Sequence, residues 1–294
     1  MSAVDAWLHP LRPAVPEIDP AGWRRLADLD AHLGRLTTDA PAPHAGQAER
    51  SAWLLHVRRT LAAAGYTRPG LSLAQALAQF VCGFHDLDLR DATGTGHGAM
   101  LHQAREPTRT RWEARLAAGD LVGIAATERR GGSRVQEITT RAVPVGPHRW
   151  AITGEKVWVS RLVEAAGIVV FFRDSDARIT AAIIDAIAPG VHREPIPPAG
   201  LAGWTWGVLH LNEVIIDPRT DLIGETGRGL ALFREHFARF RPLIAATALG
   251  AAAGVHTLVA RTLDAKGDAY EDALREFAAI ADALAARKRP DVTG

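Results

Sequence analysis

Hydroxyl, glycine and tryptophan residues cluster in two short segments, and side chains of these types can orient a bound ligand. Thr127 follows a short apolar run, and Gly131-Gly132-Ser133 comes soon after it. Glycines let the backbone approach a phosphate or a similar group closely because they carry no Cβ. In the second segment, Trp158 offers an aromatic face and Ser160 a hydroxyl. The ordinary alternatives are a flexible loop, a strand-end hydroxyl satisfied by nearby backbone, and a tryptophan of the core.

Charge and cysteine content exclude several classes of chemistry. Lys and Arg number 34 against 33 Asp and Glu, so no strong net field would attract nucleic acid. The single cysteine, Cys82, allows neither an internal disulfide nor a zinc site built from several cysteines. Its apolar neighbours favour a buried thiol over a nucleophile.

The N-terminal residues carry no basic start followed by an apolar stretch, so we identify no signal peptide. No window contains about 18 uninterrupted apolar residues, which argues against a membrane span. We therefore expect a cytoplasmic protein that contacts neither membrane nor nucleic acid.

Three regions with different residue patterns make up the chain, and their elements must position the two segments. From Asp19 to about Gly119, apolar residues recur at spacings of three and four, which predicts helices. From Gly119 to about Leu222, short β-branched runs such as Ile168–Phe172 are separated by Gly, Pro and Asp, which predicts antiparallel strands. The connections are too short for helical crossovers, so a Rossmann sheet is disfavoured.

Helical spacing returns after Gly227. Phe233, Phe237 and Phe240 form one stripe, and Ala245–Ala253 is rich in small residues that allow close helix packing. A second helix is predicted over Asp268–Arg287. The sequence thus predicts an α+β fold with an N-terminal helical bundle (1–118), a central antiparallel β-barrel (119–225) and a short C-terminal helical segment (226–294).

Several collinear segments between about residue 65 and 260 resemble the signatures of the acyl-CoA dehydrogenase family. The segments are Glu106–Trp112, Gly119–Ser133, Ile152–Ser160, Pro189–Val191, Glu213–Pro218, Leu222–Gly229 and Arg241–Ala246. Gly119–Ser133 resembles the family's strand followed by Thr-Glu-Pro-Gly-x-Gly-Ser-Asp, and Ile152–Ser160 is similar to its Asn-Gly-x-Lys-x-Trp-Ile-Thr. The chain resembles a member of the acyl-CoA dehydrogenase family that is truncated at its C-terminus or degenerate.

The resemblance implies an FAD-dependent oxidoreductase acting on the CH–CH group of an acyl thioester carried by CoA or by an acyl carrier protein. It implies flavin contacts from Ala126, Thr127, Gly132, Ser133, Trp158, Val159 and Ser160. It also implies that Ser133 borders the thioester arm and that Arg241 orders the acyl end of the pocket. A flavin accepts hydride well when its ring is fixed and polarised by such groups.

The general base of the family, a Glu, is the main departure. The usual C-terminal site lies beyond the segments matched here, and the alternative site before Arg241 holds Phe240, which cannot take a proton. His236 lies four residues before Phe240 on the same helical face and is our candidate acid or base, although a core histidine is the ordinary alternative. Glu235 lies five residues before Phe240, which is a helical rotation of about 500°, so it is on a different face. Its ordinary interpretation is a surface charge.

Arginines form the second departure, since Arg129, Arg130 and Arg134 replace the family's Pro, Gly and Asp. They could bind a phosphate of CoA, carrier protein or flavin, or they could belong to a drifted, exposed loop. Two alternative functions stay open: a non-catalytic or half-site subunit that needs a fuller homologous partner, and a flavin monooxygenase on the same fold. A homo- or hetero-oligomer with a homologous subunit is expected in either case.

Overall fold

The N-terminal part of the chain is a bundle of helices. The structure is a computed structural model, and it describes residues 2–42, 45–67, 72–130, 132–197, 200–201 and 203–264. The α-helices are α1 (Pro20–Leu36), α2 (Gln47–Ala63), α3 (Leu73–His85) and α4 (Thr108–Ala117). Shorter helical turns span Val4–Leu8, His9–Ala14, Thr37–Asp39, Leu87–Leu89 and Gly96–Gln103.

Local signals in the sequence set these helices as predicted. The Ser72 hydroxyl accepts a hydrogen bond from the Gln75 N–H and caps α3. The α1 residues that recur at helical spacing are buried together in one core cluster: Trp23, Leu26, Leu29 and Leu33. Cys82 lies in the same core, where burial raises the pKa of its thiol to about 12. The thiol is therefore protonated and unreactive near neutral pH.

The middle of the chain forms one curled sheet. Its strands are β1 (Val122–Ala125), β2 (Arg141–Gly146), β3 (Arg149–Ser160), β4 (Gly167–Arg173), β5 (Ile179–Asp185), β6 (Val191–Ile196) and β7 (Trp206–Ile216). The strand order is β1-β4-β2-β3-β7-β6, and β5 pairs with β4. Apolar side chains from these strands fill the inside of the curl, where Leu209, Ile152 and Phe172 have no exposed surface.

The sheet differs from the predicted fold in one respect. It contains both parallel and antiparallel strand pairs, and its strands form an open sheet. β1 runs parallel to β4, and β2 meets β4 in parallel at a single pair, while the other pairings are antiparallel. Strands joined by tight turns, such as β2 and β3, must be antiparallel. β1 and β4 are separated by two whole strands, and that connection is long enough to bring β4 back in the same direction.

Arg58 ties the helices to the sheet. This α2 side chain is fully buried, and it donates hydrogen bonds to the carbonyls of Gly119 (2.8 Å) and Asp120 (3.1 Å), just before β1. It also donates to the carbonyls of Asp91 and Gly94 in the loop after α3. Burial lowers the Arg58 pKa to about 10, opposed by Asp120, so the guanidinium stays charged at neutral pH.

A single long helix, α5 (Gly229–Asp264), follows the sheet. It packs closely on α3, because Gly250 lies against the Phe80 carbonyl and Gly83 against the Thr247 carbonyl. The predicted role of the small residues in Ala245–Ala253 is thereby confirmed. The helix predicted over Asp268–Arg287 lies outside the described residues.

Length and hydropathy would allow α5 to cross a membrane, and no other helix among the described residues meets that test. Core helices of globular bundles meet it as well, and α5 carries the charged residues Arg234, Glu235 and Arg239 in its first half. The expected absence of membrane contact stays a prediction.

Candidate functional site

The two segments singled out in the sequence meet at the end of β1. The N–H of Val157 in β3 donates to the carbonyl of Thr127 at 2.9 Å, which places Thr127 beside Trp158. Ala126 is buried directly before it, and Thr127 is partly exposed. This backbone bond joins the end of β1 to β3 one residue before the indole.

A β-bulge in β3 sets the direction of the indole. The pairing of β3 with β7 shifts register between Lys156 and Val159, and Trp158 adopts a left-handed φ of 57°. Trp158 is 61% exposed, which is unusual for a tryptophan within a strand. Bulges and left-handed non-glycine residues concentrate at functional sites, because they re-aim side chains at a cost in backbone strain.

Ser160 and Val159 end the same strand and point in different directions. Val159 is buried in the core of the curled sheet. Ser160 is also buried, and its Oγ accepts a hydrogen bond from Nη1 of Arg161 at 2.6 Å. Arg161 has a left-handed φ of 57° as well, and it forms an ion pair with Asp91 from the loop after α3.

Gly132 packs against Thr127. A Cβ at position 132 would lie 3.0 Å from the Thr127 Oγ1, closer than side chains normally approach, so only glycine leaves this hydroxyl its position. Gly132 begins the 3₁₀ segment Gly132–Glu137. Gly131 and the side chain of Ser133 lie outside the described part of the chain, so the predicted role of Ser133 stays a prediction.

The substituted arginines of this loop lie at the surface. Arg129 pairs with Glu155, and Arg134 pairs with Glu137 at 3.3 Å. Arg130 is exposed. Two of these three cations therefore already have a carboxylate partner, which reduces what they would contribute to phosphate binding.

A buried ion pair that we did not single out in the sequence supports the end of β1. Lys156 has no exposed surface, and its Nζ donates to Glu128 at 2.9 Å and to the Ala126 carbonyl at 3.3 Å. Glu128 also accepts hydrogen bonds from the N–H and hydroxyl groups of Thr139 and Thr140. The alternation of β3 places Lys156 on an inward position, which is the signal that could have identified it.

The pKa values of this pair follow from burial and contact. Burial raises the pKa of Glu128, but the hydrogen bonds from Thr140 and Lys156 outweigh that effect and lower it to about 2. Burial lowers the Lys156 pKa to about 8, opposed by Glu128. Both groups are charged at pH 7, so the pair fixes the segment from Ala126 to Glu128 as a rigid turn.

His236 is buried and forms a pair with a second histidine. Its Nε2 lies 2.9 Å from Nδ1 of His97, and its ring stacks on Phe240 with centroids 5.2 Å apart. This contact confirms that His236 and Phe240 share one helical face. Burial, with His102 nearby, lowers the His236 pKa to about 4, and burial, with His236 and Arg90 nearby, lowers the His97 pKa well below its usual value. Both rings are neutral at pH 7.

The other α5 candidates lie at the surface. Arg241 is exposed, with its guanidinium over the Phe237 ring at 5.9 Å, and Glu235 is exposed beside a cavity of about 80 Å³ that His236 also lines. The structure thus brings Thr127, Trp158 and Gly132 together. No direct contact joins them to His236 or Arg241 within the described residues, so the predicted catalytic roles stay predictions.

The site has features that fit an isoalloxazine ring. The Trp158 indole is uncovered, and the Thr127 hydroxyl beside it makes no hydrogen bond with the residues that the structure describes. A planar aromatic ligand that presents hydrogen-bond acceptors along one edge would cover the indole and use this hydroxyl.

Comparisons with known proteins agree with this site. Residues 123–214 match the family model described as the acyl-CoA dehydrogenase middle domain, which contains Thr127, Trp158 and Ser160. A curated relative, cyclohexane-1-carbonyl-CoA dehydrogenase of Syntrophus aciditrophicus, is 26% identical over 253 residues, which cover 83% of this chain and 61% of the relative. The chain therefore spans less than two thirds of that relative's length.

Solved structures share the fold. A glutaryl-CoA dehydrogenase from Mycobacterium smegmatis in complex with FADH2 has a TM-score of 0.65 at 19% identity and covers 81% of this chain and 66% of that chain. The prolyl acyl carrier protein oxidase AnaB has a TM-score of 0.65 at 21% identity, with coverage of 80% and 68%. At these identities the likeness concerns the fold alone.

Proposed function

Because the chain belongs to the acyl-CoA dehydrogenase family by its middle domain and its fold, we propose that it is a flavin-dependent oxidoreductase acting on an acyl thioester. The observation that carries the proposal is the meeting of β1 and β3, where a backbone bond joins Thr127 to the residue before the exposed indole of Trp158. The matched family segment contains all of β3 and β1 from its second residue on.

The residues at this junction would hold FAD. Trp158 would cover the ring, the hydroxyls of Thr127 and Ser160 would bond its polar edge, and Gly132 would let the backbone approach closely. Ala126 and Val159 would shape the wall from behind. When bound, the flavin supplies a hydride acceptor for the β-carbon of the substrate.

The substrate class in the proposal is an acyl thioester on CoA or on a carrier protein. The curated relative is named for a CoA thioester and the solved oxidase for a prolyl carrier protein, so both carrier types occur among similar proteins. Arg241 would act at the acyl end only if α5 turned or a partner covered it, because its side chain is exposed.

Proton transfer is assigned to His236. The ring is neutral above about pH 4, and its Nδ1 accepts a proton in the tautomer in which Nε2 donates to Nδ1 of His97. Burial disfavours the charged imidazolium, so a proton taken by His236 must be passed on quickly. Loss of a positioned general base reduces rates by about 10²- to 10⁴-fold.

The first experiment measures flavin binding. Purified protein is titrated with FAD, and the oxidised-flavin absorbance is followed before and after addition of cyclohexane-1-carbonyl-CoA. Bound FAD that bleaches with the thioester supports the proposal. Thr127→Val should weaken FAD binding by about fivefold, since one hydrogen bond is worth about 1 kcal/mol, and Thr38→Val, in the turn after α1, should not. Equal affinity of wild type and Thr127→Val would reject the placement of the ring.

The second experiment isolates the base from the redox step. Exchange of the α-proton of cyclohexane-1-carbonyl-CoA in D2O is followed by NMR. His236→Gln should slow it by about 10²-fold, and Arg239→Lys, a change in the same cavity that keeps the charge, should leave the rate unchanged. If both variants exchange at the wild-type rate, His236 is not the base.

One observation favours the second candidate function, a subunit completed by a homologous partner. The outer face of α5, defined as Ile244, Val255, Leu258 and Val259, is apolar and exposed, with Leu258 65% exposed. An apolar stripe on a helix is normally buried against another element. FAD binding that appears only in a complex with such a homologue would favour this candidate.

A further inference from the structure

Ser160 has a neighbour that fixes the direction of its hydroxyl. Nη1 of Arg161 donates to the Ser160 Oγ at 2.6 Å. A guanidinium has only donors, so it cannot accept the serine proton in return. Ser160 donates to no acceptor within the described residues, so its hydroxyl hydrogen can serve a bound ligand.

Arg161 is held firmly enough to impose this direction. Its side chain is buried, its φ is left-handed, and it forms an ion pair with the buried carboxylate of Asp91. Asp91 is fixed in turn, because its carbonyl accepts a hydrogen bond from Arg58. A non-glycine residue persists in this backbone region only where its surroundings determine it.

The charge of the Arg161 guanidinium depends on the groups that surround it. Burial and the guanidiniums of Arg90 and Arg58 lower the Arg161 pKa well below its usual range. The Asp91 carboxylate in contact with it favours the charged form. Arginine is not deprotonated in proteins, so Arg161 acts on Ser160 as a cationic donor.

We propose that Arg161, anchored by Asp91, is a positioning residue that makes the Ser160 hydroxyl an obligatory hydrogen-bond donor to N5 of the bound flavin. The inference rests on the proposed function and adds a residue to it. Oxidised N5 has a lone pair and no hydrogen, so it accepts such a bond. The cation on the far side of the hydroxyl polarises it and strengthens the donation.

A stronger donor at N5 makes the ring a better electron acceptor. The predicted consequence is a reduction potential that depends on Ser160 and on Arg161 together. A through-space effect of the Arg161 charge alone would instead change the potential whether or not the hydroxyl is present.

The test is a double-mutant cycle read as the midpoint potential of bound FAD by dye equilibration, with the FAD dissociation constant as a second readout. The proteins are wild type, S160A, R161K and S160A/R161K, with S160T as the hydroxyl-retaining variant. R161K keeps the charge but loses the planar fork that reaches Ser160 and Asp91 together. Arg219→Lys, at a surface pair with Asp217, is the control.

We expect S160A to shift the flavin equilibrium about tenfold toward the oxidised form, about 30 mV for a two-electron couple. S160T should stay close to wild type. R161K should lower the potential in the wild-type background and leave it unchanged in the S160A background. Equal shifts in both backgrounds, or no shift from S160A, overturn the inference.

Two further outcomes are distinguishable. If R161K does not fold, the paired change D91L/R161M removes the ion pair without leaving a buried charge alone, and a potential equal to wild type then overturns the inference. If the wild type binds no FAD, alone or with a homologue, the proposed function fails and this inference fails with it. FAD binding without coupling between Ser160 and Arg161 rejects the inference only.

Discussion

Buried charge at the end of β1 is the feature that most constrains the site at the scale of single residues. Glu128 accepts from Thr139, Thr140 and Lys156, so nearly all of its acceptor capacity is used. A buried pair of this kind adds little net stability, but removal of one partner leaves a charge without compensation. The Lys156–Glu128 ion pair therefore fixes the position of the residues at the end of β1 more than it stabilises the fold.

The first prediction concerns how the stability contributed by the Lys156–Glu128 ion pair depends on pH. The Glu128 pKa is about 2 in the folded protein against an ordinary value of 4.5, so its contribution to stability is complete above about pH 4.5 and is lost as the pH falls toward 2. Glu128→Gln should have a lower urea midpoint at pH 7 and a flatter pH dependence between pH 4.5 and 2. Asp217→Asn, at an exposed pair, should have the wild-type midpoint at pH 7. Parallel pH profiles of wild type and Glu128→Gln would contradict the assignment.

The sequence identified part of this site and missed the rest for a physical reason. Thr127 and Trp158 were predicted together because the family segments place them at adjacent strand ends. Charged residues are mostly exposed, so a buried one is not expected from its type; the alternation of β3 marks Lys156 as inward-facing, but no local pattern marks Asp91 or Arg161. Their roles depend on contacts between distant parts of the chain, which a pattern of spacings does not contain.

At the scale of elements, α5 has two separate contact regions. Glycines at its crossing with α3 bring the two backbones into contact, and small residues at such crossings act by their lack of volume. Three to four turns earlier in α5, His236 and Phe240 lie against His97.

The second prediction tests this crossing. A Cβ at position 250 would overlap the Phe80 carbonyl oxygen, so Gly250→Ala should destabilise the protein by about 1–3 kcal/mol through overpacking. Gly34→Ala in α1 is the matched control, because its Cβ would meet only His85 at 3.6 Å and helix propensity would favour it. Urea unfolding of the two variants decides the matter, and equal midpoints would refute the packing argument.

Element types were predictable, whereas strand direction was not. Apolar spacing and β-branched runs predicted α1 and β4 because these signals are local. The parallel pairing of β1 with β4 depends on how the whole chain between them returns, so the predicted antiparallel barrel was wrong in this respect. The local sequence determines that a segment forms a strand, but the packing of the whole chain determines which strand it pairs with.

At the scale of the whole molecule, the uncovered feature is the outer face of α5. Its apolar side chains face away from α3, and Val255 is 62% exposed. Contiguous exposed apolar surface commonly marks an interface. We therefore expect this face to pack on a second subunit.

The third prediction is a change of assembly. Val255→Glu should shift the protein from an oligomer to a monomer in sedimentation velocity, because a charge at the centre of an apolar interface is costly to bury. Val145→Glu, an exposed apolar position on β2, should leave the mass unchanged. A wild-type protein that sediments as a monomer at micromolar concentration would exclude self-association through this face.

The hydrogen bonds of Arg58 bear on how the chain can be divided. One guanidinium from α2 draws its acceptors both from the loop after α3 and from the entry to β1. A fragment cut between the helical part and the sheet would strand that cation in an apolar interior with half of its acceptors gone. Expression of either half alone should yield insoluble material, and soluble, folded halves would show instead that the boundary near residue 118 separates two independent domains.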